Sequence, residues 1–148
     1  EHMKIIIEEK TSKDEEDTII IRCDTLDDSI MKLIHQLKSK DELLIGTANE
    51  KIARIRPQDV YYFESVDHKV FLYTEKDVYE IKQKLYEIED TYQGMDYFRV
   101  SKSVILNLSK IQHLSPVLGS RLEATLLNGE RIMISRQYVA ALKVLLGI

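Results

Sequence analysis

One stretch of this 148-residue chain is unusually rich in hydrogen-bond donors: residues 98–111, FRVSKSVILNLSKI. Phe98, Val100, Val104, Ile105, Leu106, Leu108 and Ile111 supply apolar surface for a packed sheet. Between them stand Arg99, Ser101, Lys102, Ser103, Asn107, Ser109 and Lys110. Each of these can donate a hydrogen bond and none is acidic. A solvated face would ordinarily mix in Asp or Glu. A one-sided donor set suits an acceptor-rich polyanion, because ionised donors make the stronger hydrogen bonds to such oxygens.

The charge distribution agrees. The chain is acidic overall, with a formal charge of −4. Residues 91–148 nevertheless hold seven Lys/Arg and only three acids, a local net of +4. A polyanion responds to the local surface, since salt screens charges beyond about 8–10 Å. Other chemistries lack their residues. No serine stands in a G-x-S-x-G elbow, and no phosphate-cradling glycine loop is present. The histidines show no metal-ligand spacing, and Glu64 and Asp67 read as strand-end residues. No enzyme, cofactor or metal is expected.

The elements that must position these donors are mostly strands. LLIGTA, KIARIR, VYYFESV, HKVFLYT, VYEIK, FRV, SVILN and KIQHLS are short and β-rich, with Pro57 separating the second from the third. Pro116 and Gly119 mark a loop. Asn128-Gly129 between two apolar runs predicts a type I′ hairpin. The eight tyrosines read as cross-strand packing residues, with Tyr61 and Tyr62 on opposite faces. A short amphipathic helix is predicted over 82–92, with Leu85, Ile88 and Tyr92 on one side. Ser135 is placed to cap a C-terminal helix.

The front of the chain differs. MKIIIEE and TIIIRC are β-branched runs that could pair across an acidic loop, KTSKDEED. Cys23 in the second run reads as a buried small hydrophobe, and a single cysteine excludes an internal disulfide. Thr25 and Asp28 resemble a capping box for a helix with Leu26, Ile30, Leu33, Ile34 and Leu37 on one face. Glu1, His2 and Met3 look like an expression scar. No apolar run reaches the roughly 18 residues of a membrane span, and the chain reads as cytoplasmic.

From about Leu44 to the end, the chain resembles the LytTR family of bacterial DNA-binding domains. Four pieces carry the resemblance, in order and at family spacing. IRPQDVYYFES runs a strand into Phe63-Glu64-Ser65, and HKVFLYT follows. YFRVSKSVILNLSKI then resembles the family's pattern of phenylalanine, arginine, two variable residues, serine, then valine-asparagine before an isoleucine. LNGERIMISRQY closes the last strand with Ser135-Arg136.

The resemblance implies a mainly β fold: an elongated stack of small antiparallel sheets, with a short C-terminal helix. It implies binding to double-stranded promoter DNA, with loop side chains in successive major grooves of direct repeats. Base-contacting positions carry over to His68 after FES, to Lys102 after Arg99, and to Arg136. Lys69, Arg99, Ser101, Ser103, Asn107 and Lys110 carry over as backbone-contacting or supporting residues. Ser101-Lys102 departs from the His-Asn or His-Arg of several relatives, which bears on base preference.

The expected organisation is a strand-strand-helix extension over 4–42 and the LytTR-like domain over 43–148. Forty residues are too few for a phosphoacceptor receiver domain, so control by aspartyl phosphorylation within the chain is not expected. The extension either packs structurally on the sheet or forms a docking surface. Its candidate partners are a second copy or a membrane-protein inhibitor of the kind paired with some receiver-less relatives. No small-molecule substrate is implied. The competing reading is a protein-interaction or ligand-sensing β module whose DNA loops have degenerated.

Overall fold

A computed structural model describes residues 3–39 and 43–148, with no description of the side chains of Lys38 and Ser39. Ten strands and three α-helices follow one another as α1 (Asp28–Ser39), β1 (Leu44–Ala48), β2 (Lys51–Ile55), β3 (Tyr62–Val66), β4 (Lys69–Tyr73), β5 (Val78–Ile81), α2 (Leu85–Thr91), β6 (Tyr97–Arg99), β7 (Val104–Asn107), β8 (Ile111–Val117), β9 (Arg121–Leu126), β10 (Arg131–Ile134) and α3 (Arg136–Leu146). The strands make a seven-stranded sheet, β2-β1-β5-β4-β3-β7-β6, and a three-stranded sheet, β10-β9-β8. All pairings are antiparallel. The mainly β expectation holds.

Period-two alternation divides the core into two clusters on either side of the large sheet. Phe63, Leu72 and Ile105 belong to one cluster, with Leu85, Ile88 and Tyr92 of the α2 region packed against them. Tyr62, Val104 and Leu106 belong to the other, which the small sheet and Leu142 of α3 complete. Tyr62 and Tyr73 are cross-strand partners and stack with ring centroids 4.2 Å apart. Tyr61 and Tyr62, expected on opposite faces, lie in the same cluster. Tyr61 precedes β3, so the strand's alternation does not bind it.

Several local expectations are corrected. Asn128-Gly129 does not form a type I′ turn. Only Gly129 has a positive φ, of 90°, and its N–H donates to the Leu126 carbonyl at 2.9 Å. That is the longer hairpin loop that ends on a left-handed glycine. Pro116 lies inside β8 rather than in a loop, which is tolerated because β8 is an edge strand. Ser135 occupies the N-cap of α3 without a side-chain capping bond. Asp27, not Thr25, caps α1: its carboxylate accepts from the Ile30 N–H at 3.0 Å, and this bond holds its pKa below the ordinary value.

The two N-terminal runs, 3–9 and 18–23, lie in no strand. β-branched composition favours a pleated surface only where a sheet is there to receive it, and neither run has a ladder partner. Cys23 is exposed. The scar reading of Glu1 and His2, and the domain boundary at residue 42, lie outside the described residues.

Candidate nucleic-acid interface

His68 sits at the tip of the β3–β4 hairpin. The two-residue turn Asp67-His68 holds φ at 50° and 66°. A type I′ turn requires that geometry, which matches the twist of the flanking strands and ordinarily selects Asn-Gly. A histidine in the left-handed region costs about 1–3 kcal/mol. The strand register, Val66 opposite Lys69, fixes the tip and projects both His68 and Lys69 into solvent.

Lys102 is the exposed apex of the 100–103 connection between β6 and β7. Arg99 shapes that connection. Its Nη1 donates to the Lys102 carbonyl at 2.7 Å. Its Nε and Nη2 clasp the carboxylate of Glu89 on α2, the former at 2.9 Å. The Ser103 N–H donates to the Ser101 hydroxyl at 3.3 Å. Arg99 therefore builds the loop from within, and its charge is paired.

Backbone bonds join the three candidate loops. The Ser65 N–H donates to the Ser103 carbonyl at 2.8 Å, tying the β3–β4 hairpin to the Lys102 loop. The Ser135 N–H donates to the Val100 carbonyl at 2.8 Å, so Arg136, the first residue of α3, follows directly on a bond to the same loop. Arg136 is exposed, and no ion pair of its guanidinium is present among the described residues. His68, Lys102, Arg99, Ser65 and Lys84 line one surface cleft of about 450 Å³.

Two further cations at this edge carry no sequence motif. Lys84 stands at the N-cap of α2, and its Nζ reaches the His68 carbonyl at 3.4 Å. Lys82 lines an adjoining depression with His68 and Lys69. The register that sets Val70 opposite Ile81 brings them there. One residue outward from that pair, the same register sets Lys69 beside Lys82.

Two expected residues are not part of this cluster. Asn107 is buried. Its amide donates to the Val60 carbonyl at 2.7 Å, and its oxygen accepts from the Ser109 N–H and hydroxyl at 3.1 and 2.7 Å. It supports the fold and presents nothing outward. Lys110 lies over the ring of Tyr61, 5.3 Å from its centroid. It shares a depression there with Glu75 and Asp77. That is the far end of the β3–β4 hairpin from His68, where Asp59, Glu75 and Asp77 share the lining with Arg54 and Lys76.

Comparison with known proteins follows the same lines. The family profile described as LytTr DNA-binding domain matches residues 50–147. The chain is 28% identical over 109 residues to the sensory transduction protein LytT of Enterococcus faecalis, covering 74% of this chain and 45% of that protein. The LytT of Bacillus subtilis is 29% identical over 114 residues, covering 77% and 46%. The chain thus spans about half the length of these relatives. An uncharacterized HTH-type transcriptional regulator of Staphylococcus aureus is 26% identical over 139 residues, covering 93% and 94%. Among solved structures, the LytTr DNA-binding domain of a putative methyl-accepting/DNA response regulator from Bacillus cereus superposes with a TM-score of 0.69. That match covers 73% of this chain and 99% of that one at 24% identity, and it speaks for the fold.

Proposed function

Because the chain belongs to the LytTR family of DNA-binding domains, we propose that it is a sequence-specific regulator of transcription. In this reading it grips double-stranded promoter DNA through loops, with His68, Lys102 and Arg136 entering successive major grooves. The observation that carries the reading is the backbone linkage of three exposed donor-bearing loops at one edge, with Lys69, Lys82 and Lys84 around them.

The side chains divide by what they can read. Arg136 offers a planar fork that fits guanine O6 and N7, a pairing that contributes about 1–3 kcal/mol of discrimination. Lys102 donates to the same acceptors as a point charge, and so reads less sharply. His68 can donate or accept in the groove, according to tautomer. The lysines around the cleft suit phosphates, which position the protein without specifying sequence. Tandem sites on one face of the duplex suit an edge that presents its loops side by side.

Salt tests the electrostatic part. With Lys69, Lys82 and Lys84 on phosphates, raising salt from about 50 to 200 mM should weaken duplex binding roughly fortyfold, as release of about three counterions requires. A change under about threefold would point to an apolar interface and contradict the proposal.

A further inference from the structure

Among the described residues 3–37, none is buried. Yet this segment holds two runs of isoleucine and an amphipathic helix. Ile5, Ile6 and Ile7 are 85%, 67% and 89% exposed, and Ile19 and Ile20 are 70% and 72% exposed. Contiguous apolar surface left open in a single chain marks a surface that something covers.

The helix shows the same gap from the other side. α1 meets the rest of the protein through Lys32 and His35, which crowd Gly94. Asp28, Met31, Lys32 and His35 line the groove between α1, the turn before β6 and the end of α3. At 100° per residue, Ile30, Leu33 and Leu37 fall on the opposite side, with Leu26 just ahead of the helix. Leu26 and Leu37 are exposed, and Ile30 and Leu33 are half-buried. The helix lines that groove with its mixed face, and the single chain leaves its apolar stripe only partly covered.

The charges identify the occupant. Residues 10–17 close on themselves through Lys10 and Asp17, whose ion pair is 2.7 Å. The runs on either side are thus drawn together at their bases. The first run reads Lys4-Ile5-Ile6-Ile7-Glu8. Laid antiparallel on its own copy with Ile6 opposite Ile6, it sets Lys4 against Glu8 twice and Ile5 against Ile7 twice. Opposite charges and β-branched residues facing each other across a ladder are favourable pairs. A surface that complements itself is what a two-fold interface requires. In the single chain, Lys4 and Glu8 enter no hydrogen bond or ion pair among the described residues.

We propose that residues 4–37 form a homodimerisation element. The 4–8 run pairs antiparallel with that of a second copy about an axis through Ile6, the 18–22 run adds the outer strand, and the α1 stripe covers one face of the four strands. The pairing does not depend on the DNA reading above.

Sedimentation equilibrium of the full chain tests it. Wild type should be a dimer that dissociates on dilution. Lys4→Glu or Glu8→Lys alone should raise the dissociation constant about tenfold, since each turns two attractive pairs into repulsive ones. An equimolar mixture of the two single variants should recover wild-type affinity, because each chain then meets opposite charge at both positions. Ile6→Lys should give a monomer, with the β domain's melting temperature unchanged. A wild-type monomer up to the solubility limit would overturn the proposal, as would a dimer indifferent to both charge reversals. A dimer weakened by each reversal but not restored in the mixture would overturn the antiparallel register.

Discussion

Glu89 makes a residue-scale prediction that runs against simple electrostatics. Removing an acid beside a DNA-binding edge should strengthen binding. But Glu89 holds Arg99, and Arg99 holds the Lys102 carbonyl. Glu89→Gln should therefore loosen the 100–103 loop and weaken specific binding about tenfold, while binding to random duplex changes little. Tighter binding to both duplexes would show that the pair does not position the loop. Arg136→Ala should relax preference at one base pair by about 1–3 kcal/mol. Lys110→Ala should leave DNA affinity within about twofold, since exposed charges away from a contact couple weakly through salt. The resemblance pointed to His68, Lys102 and Arg136 through motif order, and the structure links their three loops by backbone bonds. The sequence made Lys110 look equivalent to Lys102, because a donor-rich run does not show that its two ends face opposite ends of a hairpin.

At the scale of elements, the proposed role of His68 sets function against stability in the β3–β4 hairpin. His68 occupies a left-handed position where glycine is unstrained. His68→Gly should stabilise the fold by about 1 kcal/mol, read as a raised denaturation midpoint, and should lose affinity for the specific site. A variant neither more stable nor weaker in binding would contradict both roles of the tip. Asn107→Ala should cost about 1–3 kcal/mol by orphaning the Val60 carbonyl and the Ser109 donors. Most strands were legible because alternation and turn residues are local. The N-terminal runs show the limit of that locality. Ile5–Ile7 and Ile19–Ile21 have strand composition, but a strand is made by its neighbour, and the single chain supplies none. The same limit hid the true I′ turns: Asn49-Glu50 and Asp67-His68 carry positive φ at both positions without a glycine, whereas Asn128-Gly129 has the signature and folds otherwise.

For the whole molecule, two sheets and two core clusters support three loops that backbone bonds join at one edge. The cores also set an alkaline limit. Burial raises the phenol pKa of Tyr61, Tyr62, Tyr73 and Tyr97, with Glu130 adding to Tyr62 and Glu64 to Tyr73. The folded state thus keeps protons that the unfolded chain releases near pH 10. Stability from these groups is complete below that pH and falls as pH rises beyond it. Melts between about pH 8 and 11 should show the decline, and a flat profile would contradict the burial of these phenols. That the edge reads DNA sequence through three loops is tested most directly by selection from random duplex DNA, run in parallel for wild type and for a His68→Ala/Lys102→Ala/Arg136→Ala variant of unchanged fold. Enrichment of a defined, repeated motif by wild type and none by the variant is the predicted result. Failure of folded wild type to enrich any motif, or equal enrichment by both proteins, would contradict it.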